Sequence, residues 1–462
     1  MNEHLQKSLD YARKNEETFV ENLAELVRIP SISTKKDNSK DMANAANWVK
    51  EKLTTIGMKN ARVMPTDLHP VVYAEYLESP GEPTVLVYGH YDVQPVEPLE
   101  LWNSPPFEPT RNGNLMVGRG TSDMKGQVVA TLSAIESITK TGKLPINLKF
   151  LFEGEEEIGS PSIEKWMNAN KDLLKADLCL NPDSGMLGEE LPTLTKGLRG
   201  IAYYELWVHG PDHDLHSGMA GGAVHNPAQA LAELIAKMHN PDGSIALPGF
   251  YNDVFVMTEQ DRAEFAALPH TDKEYKKFFG VSELWGEKNF IVAERLGARP
   301  TLEVNGILSG FTGEGQKTVL PSWAMAKISC RLVPHQDPAK VTEQFKQFLN
   351  VQAPTTIQWE LKQLSGARAS VIANDQPGLT QMAKALESVW GKKPLYPREG
   401  GSIPIVGYFQ QILGLGSVLT GFGLPGDNLH APNEHIHLPT FHKGIQALIH
   451  FFFNFSTIQD NI

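Results

Sequence analysis

Three apolar runs in the first half of the chain stop abruptly at residues that a hydrophobic core rejects: PTVLVYGHYD (83–92), PINLKFLFEGEEE (145–157) and ADLCLNPD (176–183). Short, nearly continuous runs of Val, Leu and Phe read as strands buried on both faces, the habit of parallel sheets. A helical pattern lies between Gly126 and Thr141, and strands alternating with helices predict an α/β fold with a mostly parallel sheet covered on both sides. Ligands bind such sheets beyond the carboxyl ends of the strands. The three runs end there in His90-Tyr91-Asp92, in Glu153 with Glu155, Glu156 and Glu157, and in Asp183. The chemistry of this chain should therefore collect along one edge.

A chain of 462 residues exceeds one ordinary core, so two domains are expected. Leu5, Leu9, Phe19, Leu23 and Leu26 are spaced for an opening amphipathic helix, stopped by Pro30. Near Gly197 the texture changes. IAYYELWVHG alternates as a half-buried strand should, and HNPAQALAELIAKMHN opens a helix with Asn226 as cap before Pro227. AMAKISCRLVP places Ile328, Cys330 and Leu332 on one face and Lys327, Ser329 and Arg331 on the other, and AKVTEQFKQFL reads as a helix. This mixture predicts a small α+β domain, residues 197–375, inserted into a larger domain built from 1–196 and 376–462. The span 250–300 has weak periodicity and no elements are assigned to it.

The formal charge of −12 argues against nucleic acid or an anionic membrane as the main partner. Cys179 and Cys330, the only cysteines, sit in apolar runs and read as buried thiols, not a disulfide. The N-terminus has no apolar signal core, FFFNF near the C-terminus is far too short to span a bilayer, and a cytoplasmic protein is expected.

A fourth segment, GRGTSDMKG (118–126), sets one carboxylate, Asp123, among three glycines just before the helical pattern. It lacks the ordered Lys-Ser/Thr pair of a phosphate loop. Taken singly, each candidate has an ordinary alternative. His90 and Asp92 form a pair common at strand ends, the EEE run suits the first turn of a helix, Asp183 suits a turn, and the glycines of 118–126 suit a tight turn. Together they put a histidine and several acids at one sheet edge, where carboxylates repel one another unless cations intervene. Mixed imidazole and carboxylate ligation without thiolate fits zinc, manganese or cobalt.

GHYDVQP, GRGTSDMKG, EGEEEIGS, NPD, GLRG, LHSG, REGGSIP and the late His430 in GDNLHAPNE resemble, in order from about residue 70 to 435, the M20 family of co-catalytic zinc peptidases. Within it the chain looks most like the cytosolic nonspecific dipeptidase and carnosinase branch. The resemblance implies a zinc-peptidase catalytic domain with an inserted lid and dimerisation domain, a homodimer, and hydrolysis of dipeptides or very short peptides. It implies two divalent metals per subunit, zinc first and manganese or cobalt as alternatives. His90 and Asp183 would hold one, Glu157 and His430 the other, and Asp123 would bridge both beside a cis Asp123-Met124 bond. Glu156 would be the general base, Asp92 would orient His90, and Glu155 would be a solvated spare. His216, supplied by the partner subunit, would donate to the oxyanion. Arg331, Thr318 and Ser402 would hold the carboxylate end of the substrate. The same centre could instead serve an N-acyl-amino-acid deacylase or desuccinylase. His225, His435, His437 and His442 receive no role.

Overall fold

The computed structural model describes residues 3–372, 376–400 and 404–456. Two compact units emerge: Met1–Lys196 with Ile372–Tyr396 and Ile403–Ile462, and Gly197–Val371 with Pro397–Ser402.

The first unit is built on a six-stranded sheet. Its strands are β1 (Lys59–Met64), β2 (Val71–Tyr76), β3 (Thr84–His90), β4 (Asn147–Glu153), β5 (Leu178–Asn181) and a last strand, Ser417–Leu419, in the order β1-β2-β4-β3-β5-last. The three runs read from the sequence, β3, β4 and β5, lie side by side and parallel. The last strand is parallel to β5, while β1 and β2 extend the sheet antiparallel at the other edge. Every residue of β4 and β5 is buried, as is β3 from Val85 onward, which accounts for their unbroken apolar character. Register places His90 opposite Glu153, so these two strands end level.

The helix Lys125–Thr139 is buried from Lys125 through Ile138, on every face. Leu438–Ser456 packs against it, and also against Glu3–Lys14 and Pro377–Trp390. The single opening helix expected from the sequence is two, Glu3–Lys14 and Glu16–Val27, because Asn15 leaves helical geometry and turns its side-chain amide back onto the Tyr11 carbonyl at 2.8 Å.

The second unit carries a four-stranded antiparallel sheet of β6 (Gly200–His209), β7 (Thr301–Ser309), β8 (Trp323–Leu332) and β9 (Gln358–Ala367), in the order β7-β8-β6-β9. Along β6, residues alternate strictly between buried and half-buried. Ala202, Tyr204, Leu206 and Val208 share a core with Ile328, Cys330 and Leu332 and with Leu231, Leu234, Phe345 and Phe348, from the helices Pro227–Ala236 and Pro338–Gln352. Asn226 caps the first of these helices, accepting the Ala228 N–H at 2.9 Å.

The unassigned span 250–300 holds three short helices, Glu259–Ala266, Asp272–Phe279 and Val292–Gly297. Thr258 and Thr271 start the first two through reciprocal bonds with Asp261 and Glu274. Helices of six to eight residues are too short to establish a clear apolar period, so the caps were the readable signal. The short strand Arg398–Glu399 pairs with Gly197–Leu198 and so belongs with the second unit, although the residues from 376 onward read as a continuous return to the first. Cys179 and Cys330 are buried and unbridged. No described helix is long and apolar enough to cross a membrane.

Candidate metal centre

The site grows from the ends of the parallel strands. His90, the last residue of β3, is fully buried, and its backbone N–H donates to the Met124 sulfur at 3.2 Å. Its Nε2 lies 3.2 Å from Asp123 Oδ1 and 3.9 Å from Asp183 Oδ1, just beyond the end of β5. Its Nδ1 faces Asp92, 3.1 Å from the backbone carbonyl and 3.4 Å from the carboxylate. The other carboxylate oxygen of Asp92 accepts the Glu157 N–H at 3.1 Å, so this buried acid touches two of the predicted ligand residues.

Asp123 stands between two imidazoles. While Oδ1 faces His90, Oδ2 lies 2.8 Å from His430 Nε2, and that same nitrogen is 3.3 Å from Glu157 Oε2. The Asp123-Met124 peptide is cis, as the family resemblance implies. Two residues further on, Gly126 leaves no room for a side chain, because a Cβ there would run into the Thr121 carbonyl and Ile436. Ligand atoms of His90, Asp123 and Glu157 all fall within 4.8 Å of one another.

The electrostatics test whether this set suits cations. Burial disfavours a charged His90, yet its hydrogen bonds to Asp123 and Asp92 raise its pKa well above the usual imidazole value. Hydrogen bonds to Asp123 and Glu157 raise His430 to about 10. Burial pushes the Asp123 carboxyl up, but the bonds to His430 and His90 outweigh it and hold it low. A site that draws protons onto two imidazoles has a strongly negative potential, and its mixed imidazole and carboxylate donors fit divalent cations.

Glu156 and Glu157 lie on the turn Glu156–Ile158 that follows β4. The Gln94 amide holds the Glu157 carboxylate at 2.8 Å and its backbone carbonyl at 3.1 Å. Burial first, then the charges of Asp183, Glu157 and Asp123, push the Glu156 carboxyl well up, against the pull of His90. Glu155 corrects an expectation. It is not solvated but only 2% exposed, accepting from Thr66 Oγ1 at 2.9 Å, the His69 N–H at 2.8 Å and the Ser162 N–H at 2.9 Å. The turn folds inward there, and its first acid satisfies backbone donors that would otherwise be orphaned.

His216, Thr318 and Arg331 belong to the second unit. His216 and Thr318 are brought together, with Nε2 3.4 Å from Thr318 Oγ1. The Gly218 N–H donates to His216 Nδ1 at 3.0 Å, so the neutral ring carries its proton on Nε2. Arg331, half-buried on β8, lines a cavity of about 370 Å³ with Arg199, Arg295, Arg299 and Glu303, a cavity that neither His216 nor Thr318 lines. Ser402 lies outside the described residues. Sequence reasoning passed over Gln94, Arg119, Asp427 and Glu434. The one available signal for the last was its place four residues after His430.

Residues 86–454, a span that contains every one of these candidates, match the family described as peptidase family M20/M25/M40. The chain belongs to this family. A Cys-Gly metallodipeptidase of Schizosaccharomyces pombe is 31% identical over 461 residues, covering 96% of both chains. Among solved structures, the M20 metallo-carboxypeptidase Sso-CP2 from Sulfolobus solfataricus is similar at 34% identity and a TM-score of 0.87, over 95% of this chain and 99% of that one. Human carnosine dipeptidase 1 is similar at 29% identity and a TM-score of 0.84, over 98% and 99%. The motifs of this M20 peptidase and its full-length similarity thus point the same way.

Proposed function

We propose that this M20 peptidase hydrolyses the peptide bond of dipeptides, using two divalent cations held by His90, Asp183, Glu157 and His430 and bridged by Asp123. One observation carries the reading: the two oxygens of a single carboxylate, Asp123, each face a different imidazole, at 3.2 and 2.8 Å. That arrangement suits one acid shared by two cations. Zinc is the first expectation, with manganese or cobalt compatible with the same donors. When bound, such a pair supplies a water of lowered pKa and polarises the scissile carbonyl.

In this reading Glu156 takes the proton of that water and returns it to the leaving amine. Asp92 holds the His90 ring in orientation. His216 of the partner subunit donates its Nε2 proton to the developing oxyanion, a role that the bond from Gly218 to Nδ1 favours. Arg331, Thr318 and Ser402 receive the substrate's carboxylate end. The protein works as a cytoplasmic homodimer whose residues 197–375 form the lid and dimerisation domain. Replacing Arg331 with alanine is expected to lower kcat/KM for free dipeptides about 10- to 100-fold, mostly through KM, since a charge-assisted bond contributes about 1.5–3 kcal/mol. Dipeptide amides should lose far less, as steady-state kinetics on both substrates will tell.

The deciding experiment strips the metals and adds back zinc, manganese or cobalt singly. Turnover is then measured on Cys-Gly, β-Ala-His and other dipeptides, on tripeptides, and on N-acetyl and N-succinyl amino acids. Cleavage of free dipeptides only with metal restored supports the proposal, and activity confined to N-acyl substrates overturns it. The similarity to a metallo-carboxypeptidase motivates a second reading, stepwise removal of C-terminal residues from longer peptides. Faster cleavage of tripeptides and longer chains than of dipeptides would favour it.

A further inference from the structure

The loop that carries Asp123 turns its backbone N–H groups inward onto an anion that the chain supplies itself. Glu434 is fully buried. Its Oε1 accepts the N–H groups of Ser122 and Asp123, each at 3.1 Å. Its Oε2 accepts the Gly120 N–H at 2.9 Å and the Arg119 guanidinium at 2.6 Å. The Glu434 backbone carbonyl accepts a further N–H, from Gly118, at 2.8 Å. Such a concave set of amides is the kind of nest that elsewhere binds phosphate. Gly120 makes the curl possible. Its φ of +85° is left-handed, and a Cβ there would lie 2.6 Å from Val93 Cγ1.

The same carboxylate joins the segments that supply the centre. Arg119 passes from Glu434 to the Pro95 carbonyl at 2.9 Å, next to Gln94, which holds Glu157. Four residues before Glu434 comes His430. The Ser122 hydroxyl donates to Asp427 Oδ2 at 2.7 Å, a second tie between the two loops. The separation between the Asp123 carboxylate and the His430 ring therefore follows from how the 118–123 loop sits on Glu434.

We infer that Glu434 is a positioning residue of the metal centre, its buried carboxylate clamping the Asp123 loop to the His430 loop and thereby setting metal affinity. The inference rests on the two-cation reading above. In Glu434→Gln an amide NH₂ replaces one oxygen, so donor faces donor either at Ser122 and Asp123 or at Gly120 and Arg119.

The test is a titration of metal-stripped protein with Zn²⁺ and with Co²⁺, following heat and the visible Co²⁺ spectrum, for wild type, Glu434→Gln and Glu136→Gln. Glu136 is another buried acid, 8% exposed, paired with Lys52 at 2.8 Å about three turns along the Lys125–Thr139 helix. Glu434→Gln is expected to bind about 10- to 100-fold more weakly, as supports of metal ligands typically do. Its Co²⁺ spectrum should change, and its turnover should recover as metal is raised. Glu136→Gln should unfold more easily yet bind metal as wild type does. Glu434→Gln affinity within threefold of wild type, or an equal loss in Glu136→Gln, overturns the inference. Should Glu434→Gln fail to fold, hydrogen exchange on metal-stripped wild type decides: slow exchange at Gly120, Ser122 and Asp123 supports the clamp, and fast exchange overturns it. A wild type that binds no metal overturns the two-cation reading as well, whereas two tightly bound ions in both wild type and Glu434→Gln overturn the clamp alone.

Discussion

Glu156→Gln is expected to cut kcat by about 10²- to 10⁴-fold, the usual contribution of a positioned general base, while both metals stay bound. Glutamine preserves the shape of the side chain and removes only its capacity to accept a proton. The neighbouring acids have different duties. Glu155 is fastened to Thr66, His69 and Ser162, and Glu157 is held by Gln94 and faces His430. Burial and the surrounding acids make the Glu156 carboxyl more basic. Dipeptide turnover and metal content, measured on the same preparation, check this. Unchanged turnover would remove Glu156 as the base, and loss of a metal ion would make it a ligand instead.

Asp123→Asn is the second large effect. The substitution keeps the side chain's volume but leaves one neutral oxygen and one NH₂ where two anionic oxygens now face His90 and His430. The lone pair of an amide nitrogen is delocalised into its carbonyl and does not ligate a divalent cation, so metal stoichiometry should fall from two to one or fewer per subunit. With one cation gone, several kcal/mol of transition-state stabilisation go with it, and turnover should drop at least about 10³-fold, about 4 kcal/mol. Elemental analysis and kcat on one sample will test both statements. An Asp123→Asn protein that holds two ions and turns over normally would sink the bridging role, and with it the dinuclear reading.

Much of this architecture is legible in the linear chain because strong local rules write it there. Buried parallel strands must be apolar throughout, so β3, β4 and β5 announce themselves, and their ends mark where polar chemistry can gather. Asn226 before Pro227 marks a helix start for equally local reasons. Less was legible where periods are short. The helices Glu259–Ala266, Asp272–Phe279 and Val292–Gly297 carry two turns or so each, too few for an apolar face to stand out. The opening helix breaks at Asn15 on the strength of one side-chain bond, which spacing of apolar residues does not encode.

Apolar runs that stop at polar residues already imply a buried parallel sheet with one histidine and several acids at a common edge, because the burial of a strand is written in its own residues. What each acid does there follows from the folded chain. Whether Glu155 meets water or three protein donors depends on the path of residues 66 to 69, far away in the chain. That Glu434 is the anion for the amides of the GRGTSD loop depends on two segments more than three hundred residues apart closing on each other. Hydrogen bonds act over about 3 Å, and no local pattern specifies which distant backbone will arrive within that distance.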